Sequence, residues 1–190
     1  MIKITHEVVN RLPDLTTSKP LLPITSLIAE LSSPKGDVRD DARRALAAYG
    51  REAVKPLIEL LSSRDAHTRW EAAKALGEIR GREAAVALAS ALNDEHRDVR
   101  WVAAESLSAI GRDAIVPVLE ELISHADSVG VRSSGAHVLG SLVGEEGTLH
   151  AVLSALNGSA PIFDVPVAAF EVLRALRNRS RPSSSRTPRR

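Results

Sequence analysis

The chain has 190 residues, 44% hydrophobic and 26% charged, with 25 Lys and Arg against 24 Asp and Glu. That composition suits one or two globular domains and excludes disorder throughout. No apolar run approaches the ~18 residues of a membrane-spanning helix, and the opening MIKITHEVVN lacks the apolar stretch of a signal peptide.

Cysteine is absent, which excludes disulfides, thiolate nucleophiles and thiolate metal sites, and a reducing, cytoplasmic setting is the expectation. Aromatic residues are limited to Phe163, Phe170, Tyr49, Trp70 and Trp101, against 27 Ala and 23 Leu. Ala and Leu are the strongest helix formers, and a core built from them lets helices approach closely. The composition therefore predicts an all-α protein.

In chain order, residues 1–19 form an N-terminal extension. Ile4, Val8, Val9 and Leu12 are spaced for one short helix, and 14–20 read as a loop. Residues 23–32 read as the second helix of a first, incomplete repeat. Leu27, Ile28, Leu31, Ser32 and Ser33 recur 30 residues later as Leu57, Ile58, Leu61, Ser62 and Ser63.

Four first helices follow: RDDARRALAAY from Arg39, RWEAAKALGEI from Arg69, RWVAAESLSAI from Arg100 and RSSGAHVLGSL from Arg132. Their starts are 30, 31 and 32 residues apart. A small residue stands three positions after each Arg (Ala42, Ala72, Ala103, Gly135). A Leu stands seven after it (Leu46, Leu76, Leu107, Leu139), and a large apolar residue ten after it (Tyr49, Ile79, Ile110, Leu142). Those offsets describe one helical face.

The stretches Gly50-Arg51-Glu52-Ala53, Gly81-Arg82-Glu83-Ala84 and Gly111-Arg112-Asp113-Ala114 end one helix and begin the next. Pro56 and Pro117 are expected in the first turns of their helices. The fourth repeat is looser, with its second helix expected over 148–157. Val165 to Leu176 match Val131 to Leu142 and read as the first helix of a further repeat.

Helix pairs that cannot bury their faces alone stack into an α-solenoid of about four to five pairs over residues 20–177. Leu21, Leu22, Phe163 and Phe170, or another subunit, are the candidates to cover its open ends. Residues 178–190 read as a basic disordered tail. Six of the residues from 177 onward are Arg, which leaves the rest with 19 basic against 24 acidic residues. A net acidic body argues against nucleic-acid binding except through the tail.

The stretch Val99-Arg100-Trp101-Val102-Ala103-Ala104 with Leu107, its equivalents and the G-R-E-A turn resemble the short HEAT-like repeats first noted in phycobilisome lyases. The resemblance implies that the first helices line a concave face. It also implies two functions: a protein-binding scaffold or adaptor, or a bilin lyase-like or chaperone-like protein acting on a tetrapyrrole or its carrier.

Positions one, two and five after each Arg fall off the apolar face. They include Trp70 and Trp101 in register on adjacent repeats, Glu71, and the set Arg44, Lys74, Glu105 and His137. The two indoles either form an exposed aromatic shelf or fold over the Ala-rich seam. Glu71, Glu78 and Glu105 read as solvent-facing charges. The Arg39, Arg69, Arg100, Arg132 ladder reads as a structural tie between adjacent loops in preference to a phosphate site.

Catalytic patterns are missing. There is no H-E-x-x-H, no G-x-S-x-G, no phosphate-cradling Gly loop, and His67, His96 and His125 recur in three different registers. No cofactor or metal is expected, and the expected activity is binding of another protein, anchored by Trp70 and Trp101, with no membrane contact.

Overall fold

The computed structural model describes residues 22–144 and 146–179. The expected helix at 4–12 and the residues beyond 179 lie outside that range. Among the described residues there are helices and turns and no strand. The helices are α1 (Ile24–Glu30), α2 (Gly36–Tyr49), α3 (Arg51–Leu60), α4 (Ala66–Ile79), α5 (Arg82–Ser90), α6 (Arg97–Ile110), α7 (Ile115–Ser124), α8 (Val129–Leu142), α9 (Leu149–Leu156) and α10 (Pro161–Arg179). None of them is long and apolar enough to cross a membrane.

The first helices α2, α4, α6 and α8 pack side by side in sequence order, and α3, α5 and α7 form a second layer behind them. The predicted Leu ladder holds the layers together: Leu46, Leu76, Leu107 and Leu139 are fully buried. The second layer answers with Leu27, Leu57, Leu88 and Val118, also buried. Each such side chain contributes about 1.5–3 kcal/mol of transfer free energy.

The seams between first helices are not alike. Four positions after the ladder Arg, α4 carries Ala73 and α2 carries Arg43. Across the α4–α6 seam the small residues Ala73 and Gly77 let Ser106 come close: a Cβ on Gly77 would lie 2.3 Å from Ser106 Oγ. Across the α2–α4 seam Arg43 and Glu71 fill the space instead. Helix α4 accordingly packs more closely against α6 than against α2.

The turns follow the sequence. Gly50, Gly81 and Gly111 have φ of +58°, +90° and +82°, the left-handed region that glycine enters without Cβ strain. The second repeat is one residue longer here, and Arg80 takes the place of the glycine with φ +64°. Pro117 is in the first turn of α7, as expected. Pro56 is not in a first turn: α3 starts at Arg51, directly after Gly50, so Pro56 falls in its second turn and removes one backbone hydrogen bond. In the third repeat the residues before α7 form a 3₁₀ turn instead, Gly111–Ala114.

The C-terminal end departs from the expected pattern. Helix α9 matches the predicted second helix, but α10 does not continue the first-helix layer. It packs against α7 and α9, so it joins the second layer. A short connection after α9 makes an αα-hairpin, and α10 turns Val165, Ala169, Val172 and Leu173 inward. Phe163 and Phe170 fall on its other side and stay exposed, Phe163 to 75%, so neither covers the end of the array.

Glu146, buried after α8, secures this end: its carboxylate accepts from Arg179 at the end of α10 (2.9 Å), from Arg112 before α7 (3.1 Å) and from Thr148 (2.8 Å). Asn178 and Arg179 are thus helical, and α10 runs past the expected domain boundary at 177.

Candidate functional site

The ladder arginines resolve first, because they frame the site. Each reaches back to the carbonyl six residues before it. Arg39 donates to Ser33 O (2.7 Å), Arg69 to Ser63 O (2.9 Å), Arg100 to Asp94 O (2.8 Å), and Arg132 to Ala126 O. Each therefore closes the loop ahead of its own helix. Two also tie to the next repeat, Arg39 to Glu71 (2.8 Å) and Arg69 to both oxygens of Asp94 (2.7 and 2.8 Å). Burial alone would raise the Asp94 carboxyl, but Arg69 holds it below the ordinary aspartate value. The partners in the next repeat are Glu71 and Asp94, and Asp65 at the start of α4 serves locally. Asp65 caps α4 by accepting from Thr68 N (2.8 Å) and Thr68 Oγ1 (2.7 Å).

Glu71 is the main correction to the predicted surface. It is 2% exposed and accepts from Arg39 and Arg43 of α2. Position two after the ladder Arg faces the preceding first helix in the central repeats, where Val102 is also buried. Arg43, which the sequence did not single out, is 6% exposed. It donates to Glu71 Oε2 (2.9 Å), Glu78 Oε1 (2.8 Å) and Asp40 Oδ1 (2.6 Å). Burial alone would lower its pKa, but the bonds to Asp40, Glu78 and Glu71 hold it above the ordinary arginine value.

Trp70 and Trp101 line one open groove of about 600 Å³, together with Arg39, Asp40, His67, Glu71, His96 and Asp98. The two indoles differ within it. Trp70 is half-buried and packs against the core. From the turn before, His67 stacks parallel to it with ring centroids 6.2 Å apart. From the turn after, Lys74 Nζ lies 4.8 Å from its ring centroid. Trp101 is 59% exposed. The seam-covering arrangement therefore describes part of Trp70 and none of Trp101.

The remaining predicted residues surround this pair. Glu105, one turn after Trp101, is 2.7 Å from His137 Nε2 of α8. Arg44 pairs with Asp41 of its own helix in solvent. His67 lies in the first turn of α4. The ring that the spacing could not reveal is Arg43 with Glu71, because an ion pair between adjacent helices has no periodic signature.

The groove offers aromatic area, hydrogen-bonding rims and paired charges. Rigid first helices hold these groups in place, an arrangement suited to surface recognition. The sequence profile described as HEAT repeats matches residues 24–108 and 85–177. Among curated proteins none matches. Repeats of this type generally serve as protein-interaction scaffolds. Stacked helix pairs with a fully buried Leu ladder and a profile match spanning most of its length make this chain a member of the HEAT-repeat family.

Proposed function

We propose that the chain is a non-enzymatic, cytoplasmic scaffold that binds another protein on its first-helix face, with Trp101 as the main anchor and Trp70 as the wall beside it. The observation that carries this reading is the exposure of Trp101 in a groove it shares with Trp70. A large indole left in water on a rigid helix offers contact area with little ordering cost on binding. Lys74 and His67 keep Trp70 in place, and Glu105, His137 and Arg44 set the polarity of the rim.

The test is the single variant Trp101→Ala. It removes contact area but no core packing, so partner binding should be lost while helicity and melting stay unchanged. Trp70→Ala should weaken binding and also lower stability, because that ring packs against the core.

A further inference from the structure

Trp70 and Trp101 stand 31 residues apart in the same register, yet their neighbours on the same helix face carry opposite charge. Residues three before and four after an indole flank it one turn away on each side. Around Trp70 these are His67 and Lys74, and Lys74 already fills the cation position on the ring. Around Trp101 they are Asp98 and Glu105. No cation of the chain lies over Trp101 among the described residues.

The indole face attracts cations through its quadrupole, and two carboxylates beside it add Coulomb attraction. Asp40 and Glu71 in the same groove are already neutralised by Arg43 and Arg39. Asp98, by contrast, makes an ion contact with His96 at 3.9 Å and with no Arg or Lys among the described residues. Glu105 shares its carboxylate with His137 at 2.7 Å, so Asp98 is the carboxylate at the Trp101 end that no Arg or Lys pairs with among the described residues.

We propose, building on the scaffold reading above, that this end of the groove takes an arginine side chain carried on a basic segment of the partner protein. Arginine fits better than lysine. Its planar guanidinium can stack on the indole while its edge donates to Asp98 or Glu105, whereas an ammonium is a point charge that gives up more hydration.

The full-length Trp70→Phe variant leaves Trp101 as the single tryptophan, so its emission reports on this site alone. The probes are tetra-arginine, tetra-lysine and tetra-glutamate peptides at physiological salt. Tetra-arginine should change the emission saturably and bind about tenfold more tightly than tetra-lysine. Tetra-glutamate should have no effect. Asp98→Asn with Glu105→Gln should weaken tetra-arginine binding by about tenfold or more. Both side chains are exposed, and Asp98→Asn alone serves if the pair of changes lowers the melting temperature.

Binding of tetra-arginine that survives the carboxylate changes, or that calorimetry finds unchanged in Trp101→Ala, overturns the proposal. So does binding that appears only after Arg181, Arg186, Arg189 and Arg190 are replaced by Ser, since the chain's own tail would then be the occupant. A partner protein held in a Trp101-dependent way while tetra-arginine is inert also overturns it, and leaves the scaffold reading standing.

Discussion

Arg43 Nη1 donates to Glu71 Oε2 at 2.9 Å with both side chains buried, and this pair sets the width of the α2–α4 seam. The adjacent seam closes on Ala73 and Gly77 instead. Removing the Glu71 charge takes a partner from two guanidiniums, because Arg39 also bonds it. Glu71→Gln should therefore destabilise the chain by about 2–4 kcal/mol, near the lower end for breaking a buried pair because Arg43 keeps Asp40 and Glu78. Urea unfolding of the variant beside the parent measures it. A loss below ~1 kcal/mol would show that the pair is solvated in solution.

Two glycines within first helices should respond oppositely to alanine. At Gly77 a Cβ would meet Ser106 Oγ at 2.3 Å and Ser106 Cβ at 2.5 Å, so Gly77→Ala forces α4 and α6 apart and should cost about 1–3 kcal/mol. Pairing it with Ser106→Gly should recover part of the loss. At Gly140 a Cβ meets nothing within 4 Å, and Gly140→Ala should stabilise by about 0.5–1 kcal/mol through backbone entropy. Thermal melts of the three variants check the signs.

Arg80 holds a left-handed conformation where the neighbouring repeats use glycine. Arg80→Gly should raise stability by about 1 kcal/mol, the usual cost of that conformation for a residue with a Cβ. An unchanged or lower melting temperature would mean that the Arg80 side chain contributes more than the strain it carries.

The Thr148 hydrogen bond, with Arg179 beside it, holds the Glu146 carboxyl below the ordinary glutamate value of 4.5. A carboxylate depressed on folding contributes stability that is fully present above its unfolded value and is lost as pH falls through its folded value. The docking of α10 should thus weaken below about pH 4.5. Glu146→Gln should weaken it at every pH and flatten that acid dependence. Hydrogen exchange of α10 amides across pH 3 to 7, as a rough bracket around that range, reads both effects.

Much of the fold was legible because a solenoid repeats its physical problem. Leu46, Leu76, Leu107 and Leu139 recur since each pair must bury the same face, and Gly50, Gly81 and Gly111 recur since each pair needs the same left-handed turn. What the sequence concealed is whatever occurs once. Arg43 replaces an alanine in one seam only, and Glu71 looks like a surface charge until α2 supplies its partners. Helix α10 resembles a first helix in its spacing, but its place in the second layer depends on the short hairpin from α9 and on Glu146 meeting Arg179. Of the candidate site, the register of Trp70 and Trp101 was readable. Their unequal exposure was not, because it depends on which neighbours stack on each ring.

The central claim is that Trp101 anchors a protein partner. The most direct measurement compares proteins retained from the native source by the parent chain, by Trp101→Ala and by Phe163→Ala, a change of another exposed aromatic residue at the far end of the array, with melting curves recorded for all three. The account predicts one defined protein held by the parent and by Phe163→Ala, lost from Trp101→Ala at unchanged stability, and rebinding the purified parent chain directly. The same protein held equally by Trp101→Ala would contradict it.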